Sequence, residues 1–354
     1  MDFPAWSRLV YGRLGRIPLK RYPLAVSITF TSLLNSLCYG LSQFLLGRKI
    51  SKVRFVESPV FVLGFWRSGT TWLNELLVLD PTACYPTTFQ CFAPNSIMLS
   101  GVFEKLIGKI LPKKRPMDTV ELGMKNPQED EFAILNLGLE SPYRYLAFPS
   151  LIYDEEFADE FWPKSQASRD IWAKKWRFFL KTIQYLNPNK RLVLKSPLHT
   201  ARIEMILSVI PNAKFIHISR DPKSIIGSAQ KTHEAMLSTQ SLEYFEDVNG
   251  DVVEDTIKSL EEMYQAHFEQ SKMLSSKQIA YLKYEDLRND TAGELSRIYS
   301  TLNLGEFESV RHHFDKFIDS KKEYKPDVYE LPDEVLRMIS KKCKSYIRTF
   351  GYQL

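Results

Sequence analysis

Four short apolar runs punctuate the chain, and each ends on a glycine or a polar or proline-containing turn. Val60-Phe61-Val62-Leu63 stops at Gly64, and Arg191-Leu192-Val193-Leu194 stops before Ser196-Pro197. Phe215-Ile216-His217-Ile218 gives way to Asp221-Pro222, and Ile279-Ala280-Tyr281-Leu282 closes the set. Continuous runs of this kind fit strands covered on both faces, as in a parallel sheet. Between them apolar residues recur at helical spacing, from about Thr71 to Leu79 and again at Ile203, Ile206, Leu207 and Ile210. Strands alternating with helices imply right-handed crossovers, hence an α/β fold with a doubly wound parallel sheet flanked by helices.

Residues 81–180 hold no strand run and read as a helical insertion or lid, rich in aromatics and broken by prolines. After residue 290, Leu295, Ile298 and Leu302 form one helical stripe. No linker or repeat interrupts the pattern. The expected organisation is a helical N-terminal segment (1–54), one main domain (55–330) and a helical extension (331–354) packed on it.

The N-terminal segment contains Tyr22 to Gly47, 26 residues without a charge, flanked by Arg21, Arg48 and Lys49. About 20 predominantly apolar residues can span a bilayer. Here Thr29, Ser32, Asn35, Ser36 and Ser42 interrupt the stretch, so a buried or membrane-surface helix is expected ahead of a span. The stretch also begins too far from Met1 for an ordinary signal peptide.

Composition narrows the field modestly. The 354 residues are 44% hydrophobic, which suits a large core, and the net charge of +5 argues weakly for anionic ligands and not at all for a nucleic-acid coat. Short basic clusters such as Lys113-Lys114-Arg115, Lys321-Lys322 and Lys341-Lys342 read as solvated surface. Four cysteines without CxxC spacing suggest reduced thiols and a cytoplasmic location, with membrane association left open. The six histidines form no ligand pattern, so no metal is expected.

The chemistry concentrates at Gly64 to Thr71, Gly-Phe-Trp-Arg-Ser-Gly-Thr-Thr, set between a strand and a helix. Backbone N–H groups of such a loop and the helix N-terminus together favour a phosphate. The glycine spacing matches GxxxxGK[ST], but Thr70 stands where that pattern has lysine, and the cation is Arg67 inside the loop. The plain alternative is a tight turn with no ligand; two glycines, an arginine and three hydroxyl residues at one helix start weigh against it. A second half-site follows the strand at 215–218. Arg220 lies at its carboxyl end and Ser228 eight residues on, both able to face the crevice where ligands of such sheets bind. Arginine suits bidentate phosphate capture, and serine adds a hydrogen bond.

Taken together, these residues resemble the sulfotransferase family. Arg67-Ser68-Gly69-Thr70-Thr71-Trp72 is similar to its 5′-phosphosulfate loop, Arg220 with Ser228 to its 3′-phosphate site, and Lys195-Ser196-Pro197 to its lysine loop. Arg115-Pro116-Met117-Asp118, Pro127-Gln128-Glu129-Asp130-Glu131-Phe132, Lys195-Ser196-Pro197-Leu198-His199 and Tyr284-Glu285-Asp286-Leu287 resemble a bacterial-type branch. The resemblance runs from about residue 55 to about 330. It implies 3′-phosphoadenosine 5′-phosphosulfate (PAPS) as sulfonate donor, no metal, and a small-molecule, lipid or carbohydrate acceptor. Two familiar bases are missing: Pro197 stands where cytosolic members have histidine, and Thr87 to Gln90 where tyrosylprotein members have glutamate.

Sulfonate transfer, like phosphoryl transfer, is an in-line displacement driven by positioning and charge stabilisation. Arg67 and Lys195 are the candidate cations for the leaving phosphate. His199 and Glu131 are the candidate bases. His199 starts nearer the working pH and is expected at the mouth of the crevice, while Glu131 needs burial to raise its pKa. Capping by Asn126, Pro127 and Glu129 explains Glu129 as structural, and His217 inside its apolar strand reads as a core histidine. Two other readings stay open: a P-loop kinase, and a catalytically silent nucleotide-binding or membrane-surface scaffold.

Overall fold

A computed structural model describes residues 1–99, 123–153, 161, 163, 165–243, 252–321 and 329–353. Arg115-Pro116-Met117-Asp118 lies outside the described residues. The chain divides into two compact units. One comprises Phe55–Tyr85, Asn189–Lys231 and Gly250–Leu354; the other comprises Met1–Arg54, Pro86–Pro188 and Thr232–Asn249.

The first of these holds the sheet. Its five strands are β1 (Val60–Leu63), β2 (Ala83–Cys84), β3 (Arg191–Lys195), β4 (Lys214–Ser219) and β5 (Ile279–Lys283), in the order β2-β3-β1-β4-β5. Every pairing is parallel, and the register sets Val62 beside both Lys195 and Ile216. The parallel α/β architecture expected from the apolar runs is what forms. The strand β2 is a correction, since 81–180 was expected to hold none. Two residues carry no periodicity, and this strand exists through its neighbours. The Asp80 carboxylate turns the chain by accepting from the Thr82 N–H and hydroxyl, and Arg191 donates its backbone N–H to the Thr82 carbonyl.

Side-chain alternation divides the sheet into two faces. Val60, Val62, Val193, Ile216 and Ile218 pack against Leu73, Leu76 and Leu77 of the helix Thr70–Leu77, and against Leu295, Ile298 and Leu302 of the helix Thr291–Leu302. Each such fully buried side chain contributes about 1.5–3 kcal/mol. Phe61, Phe215 and His217 face the other way, and Phe61 and Phe215 lie with ring centroids 5.7 Å apart. His217 is a fully buried core histidine: its Nε2 is 2.9 Å from the Tyr264 hydroxyl, and its ring stacks on His267 at 4.6 Å and on Phe350 at 4.9 Å.

The other unit is helical among its described residues. The helix Phe3–Val10 is capped by Asp2, whose carboxylate accepts from Ala5 N–H, and packs along the helix Tyr22–Ser51. Trp6 donates its indole N–H to Thr29 Oγ1 at 2.9 Å, and Trp6, Leu9, Ile17, Ala25, Phe148 and Leu151 share a core. The 21-residue helix Gln166–Leu186 buries Trp172 and Trp176, tilted rings 4.8 Å apart. The helix after Pro127 starts later than the capping pattern suggested. It spans Asp130–Asn136 with Glu129 in extended backbone at its N-cap, because the chain first pairs Thr87 with Pro127 in an antiparallel bridge.

Burial holds the His217 pKa well below its ordinary value and lowers that of His267 to about 4. Both rings protonate more readily once the chain unfolds. The stability they contribute is therefore fully present above about pH 6.5 and is lost as pH falls from there, for His267 toward about 4, with a slope of about 1.4 kcal/mol per pH unit for each histidine. Melting temperature measured across this window should drop accordingly, and less steeply in a His267→Gln variant. A flat profile would show that the rings accept protons in place.

Candidate functional site

The loop from Gly64 to Gly69 carries three consecutive demands on backbone geometry. Gly64 has φ +145°, and a Cβ there would sit 2.5 Å from the Ile218 carbonyl oxygen. Gly69 has φ +99°, caps the helix Thr70–Leu77, and a Cβ there would meet the Tyr284 ring at 2.5 Å. Between them Arg67, which has a side chain, is held at φ +66°. Such a residue costs on the order of 1–3 kcal/mol and persists where its surroundings over-determine it. The observed hydrogen bond from Arg220 Nη1 to the Arg67 carbonyl, 3.0 Å, is one such determinant.

Arg220 therefore belongs to the loop as well as to the end of β4. Its guanidinium also lies over the Tyr284 ring, 4.3 Å from the centroid, and Tyr284 is the residue that Gly69 leaves room for. Tyr284 and Trp72 meet edge to face at 5.8 Å. Lys195, at the carboxyl end of β3, is 4% exposed and donates to Thr71 Oγ1 at 3.4 Å. Arg67, Thr71, Trp72, Lys195 and Arg220 thus converge on the start of one helix at the carboxyl ends of β1, β3 and β4. Positive charge and a helix N-terminus together favour an anion.

Ser68 and Thr70 are buried in the loop. Ser228 is placed differently from its expected position on a continuous helix. The helix after β4 ends at Gly227, the next begins at Ala229, and Ser228 sits at the break with its hydroxyl donating to Ile225 O at 3.0 Å.

His199 is fully buried. The 3-10 turn Pro197–Ala201 seals it with no exposed surface, and its ring packs edge-on against Phe61, centroids 5.6 Å apart. Phe61 points to the face of β1 opposite Val62, the register partner of Lys195. The ring packs on the sheet face opposite Lys195, and the next residue, Thr200, accepts from the Gly64 N–H of the loop at 2.8 Å. Glu131 lies in the other unit, fully buried in the first turn of Asp130–Asn136. Its neighbours have structural work: Glu129 accepts from the Tyr143 hydroxyl at 2.7 Å, and Asp130 from the Trp176 indole at 2.9 Å.

Sequence reasoning missed the residues that hold Arg220 in place. Tyr346, in the helix Lys344–Phe350, accepts from the Arg220 N–H at 2.9 Å and donates to the Arg220 carbonyl at 2.7 Å. Glu285 accepts from the Asp221 N–H and from the Tyr352 hydroxyl, each at 3.1 Å. Burial, with the Tyr264 and Tyr352 hydroxyls nearby, holds the Tyr346 pKa well above its ordinary value, so it stays a neutral donor. Glu285 was visible within the Tyr284-Glu285-Asp286-Leu287 run, but nothing local marks the two tyrosines.

The profile of the sulfotransferase family matches residues 59–309, and the chain belongs to that family. It is 32% identical over 354 residues to the omega-hydroxy-beta-dihydromenaquinone-9 sulfotransferase Stf3 of Mycobacterium bovis, covering 99% of this chain and 90% of that protein. The fold is similar to that of sulfotransferase STF9 from Mycobacterium avium, with a TM-score of 0.74 at 16% identity over 100% of this chain and 93% of that one. Sulfotransferase STF1 from Mycobacterium tuberculosis aligns with a TM-score of 0.62 at 16% identity over 96% of this chain and 90% of that one.

Tyr346→Phe should leave the N–H and carbonyl of Arg220 without that partner and cost about 1–3 kcal/mol. Gly69→Ala should cost a similar amount, since both its φ and the Tyr284 ring oppose a Cβ. Urea denaturation of the two variants checks both, and wild-type midpoints would contradict this account of the loop.

Proposed function

We propose that the chain transfers a sulfonate group from PAPS to a hydroxyl on a lipid acceptor. The observation that carries this reading is the convergence of Arg67, Lys195 and Arg220 on the loop that opens the helix at Thr70, within a member of the sulfotransferase family. Buried polar atoms there fit a polyanionic donor. Ser68 Oγ, Trp72 Nε1 and Ser196 Oγ have no hydrogen-bond partner among the described residues, although buried polar groups are ordinarily paired. A lipid acceptor is supported by the relative at 32% identity, whose name specifies a hydroxylated menaquinone derivative.

When bound, the donor supplies an activated sulfonate and a nucleotide phosphate as leaving group. In this reading the loop N–H groups, Ser68, Thr70 and Thr71 hold the 5′ end. Arg67 and Lys195 stabilise charge that grows on the leaving oxygen as the bond to sulfur breaks, so they favour the transition state over the bound ground state. Arg220 and Ser228 take the 3′-phosphate, and Ser228 does so by turning its hydroxyl from Ile225 O. His199 and Glu131, both fully buried, are the two candidates for the base that accepts the hydroxyl proton. A kinase reading fits less well, because Thr70 replaces the lysine that would meet β- and γ-phosphates. A silent scaffold would have no need to keep both Arg67 and Lys195.

Calorimetry should show 3′-phosphoadenosine 5′-phosphate binding far more tightly than AMP. Arg220→Ala should remove most of that difference, about 1.5–3 kcal/mol for a charge-assisted contact. Equal affinity of the wild type for both nucleotides would sink the donor assignment, and preference for ATP with Mg²⁺ would favour the kinase.

The base is tested by turnover with a hydroxylated isoprenoid quinone as acceptor. Loss of the base should lower turnover by roughly 10²–10⁴-fold with nucleotide affinity intact, the usual range for general acid–base catalysis. His199→Asn and Glu131→Gln are the variants to compare, each checked for folding. Turnover near wild type in both would exclude both candidates.

A further inference from the structure

The helix Tyr22–Ser51 shows two faces of opposite character. One is bound to its own unit along its length: Ala25, Ser32, Cys38, Ser42 and Ile50 are buried. The polar residues that interrupted the apolar stretch lie largely on this bound side. Thr29 accepts from the Trp6 indole, Ser36 Oγ from the Phe3 N–H, and Asn35 Oδ1 from the Ser96 hydroxyl.

The opposite face is apolar and exposed. Val26, Phe30, Leu33, Leu37, Leu41 and Phe44 recur at spacings of four and three, which places them on one stripe of an α-helix. Val26 is 64% exposed, Phe30 63%, Leu37 71% and Phe44 87%. Nearby Tyr11 and Leu19 are 84% and 86% exposed. A contiguous apolar surface of this kind marks an interaction site.

Charge selects the occupant. From Phe3 to Val56 the chain has no acidic residue and nine lysines or arginines. Lys20 and Arg21 lie just before the helix, and Arg48, Lys49 and Lys52 at its other end, with none of them in the middle of the stripe. An apolar stripe bordered by cations fits the boundary between acyl chains and anionic headgroups. A spanning helix would present lipid on every side, and this one has a side fastened to protein by Trp6, Phe3 and Ser96.

We infer that this chain docks on anionic membrane surfaces through the stripe Val26–Phe44, with the helix lying in the plane of the bilayer. The inference stands apart from the proposed chemistry and concerns only where the protein sits.

The test is flotation of the full chain with vesicles of phosphatidylglycerol and phosphatidylcholine, against phosphatidylcholine alone. Wild type should float with the anionic vesicles and be largely released by about 0.5 M salt. The double variant Leu37→Glu/Phe44→Glu should partition at least about tenfold less. Both positions are exposed, so its melting temperature should match wild type, and catalytic turnover with a soluble acceptor provides a second check on folding. Absence of wild-type flotation, or undiminished flotation of the variant, would overturn the inference. So would a wild-type dimer that the variant converts to monomer without any vesicle binding, since a second copy would then cover the stripe. Resistance of the cellular protein to alkaline carbonate would show a span and overturn the in-plane placement.

Discussion

The contact between the Arg220 guanidinium and the Arg67 carbonyl ties the loop that follows β1 to the end of the neighbouring strand β4. Arg67 sits in a left-handed conformation that a side chain disfavours, so its loop needs support from outside itself. Arg220 provides that support from the end of β4 and is in turn positioned by Tyr284 beneath its charge and Tyr346 across its backbone. The glycines follow from the same arrangement. Gly64 must let the Ile218 carbonyl approach, and Gly69 must let Tyr284 approach. One polar contact thereby fixes the loop, the cation and the aromatic platform as a set. The parallel sheet supplies the level ends on which the set rests.

Much of this was legible in the sequence because its signals are local. Four of the five strands are unbroken apolar runs, and the loop announces itself by two glycines and three hydroxyl residues in eight positions. Other features depend on distant partners and leave no local mark. Ala83–Cys84 becomes a strand only because Arg191 and Leu192 lie alongside. Glu129 has the spacing of a capping residue, yet its carboxylate meets Tyr143 and the helix begins one residue later. His199 follows Lys195 by only four residues in sequence. Four residues reverse the sheet face it addresses, because a 3-10 turn intervenes. Tyr346, in the last helix, and Tyr352, just beyond it, look like ordinary aromatics until the fold brings them to Arg220 and Glu285.

The long uncharged N-terminal stretch shows why hydropathy alone misjudges such segments. Averaged along the helix, it is apolar enough to cross a bilayer. Sorted by face, its small and polar residues lie largely on the protein side, and the large apolar ones look outward. The serines and threonines that weaken the case for a span let the short helix Phe3–Val10 approach closely and hydrogen-bond along the groove. Polarity here is a device for packing one helix on another.

The tyrosine that brackets Arg220 lies 126 positions downstream of it. During synthesis, β1 and β4 and the glycine loop leave the ribosome well before Tyr346 does. At elongation rates of about 5–20 residues per second, that interval lasts on the order of ten seconds, long compared with helix or hairpin formation. For that time the nascent chain holds a strained arginine turn whose second support has not yet been made. The loop would then reach its final form late, as the last helices dock, and a chain stalled in that interval would carry the loop without its clamp.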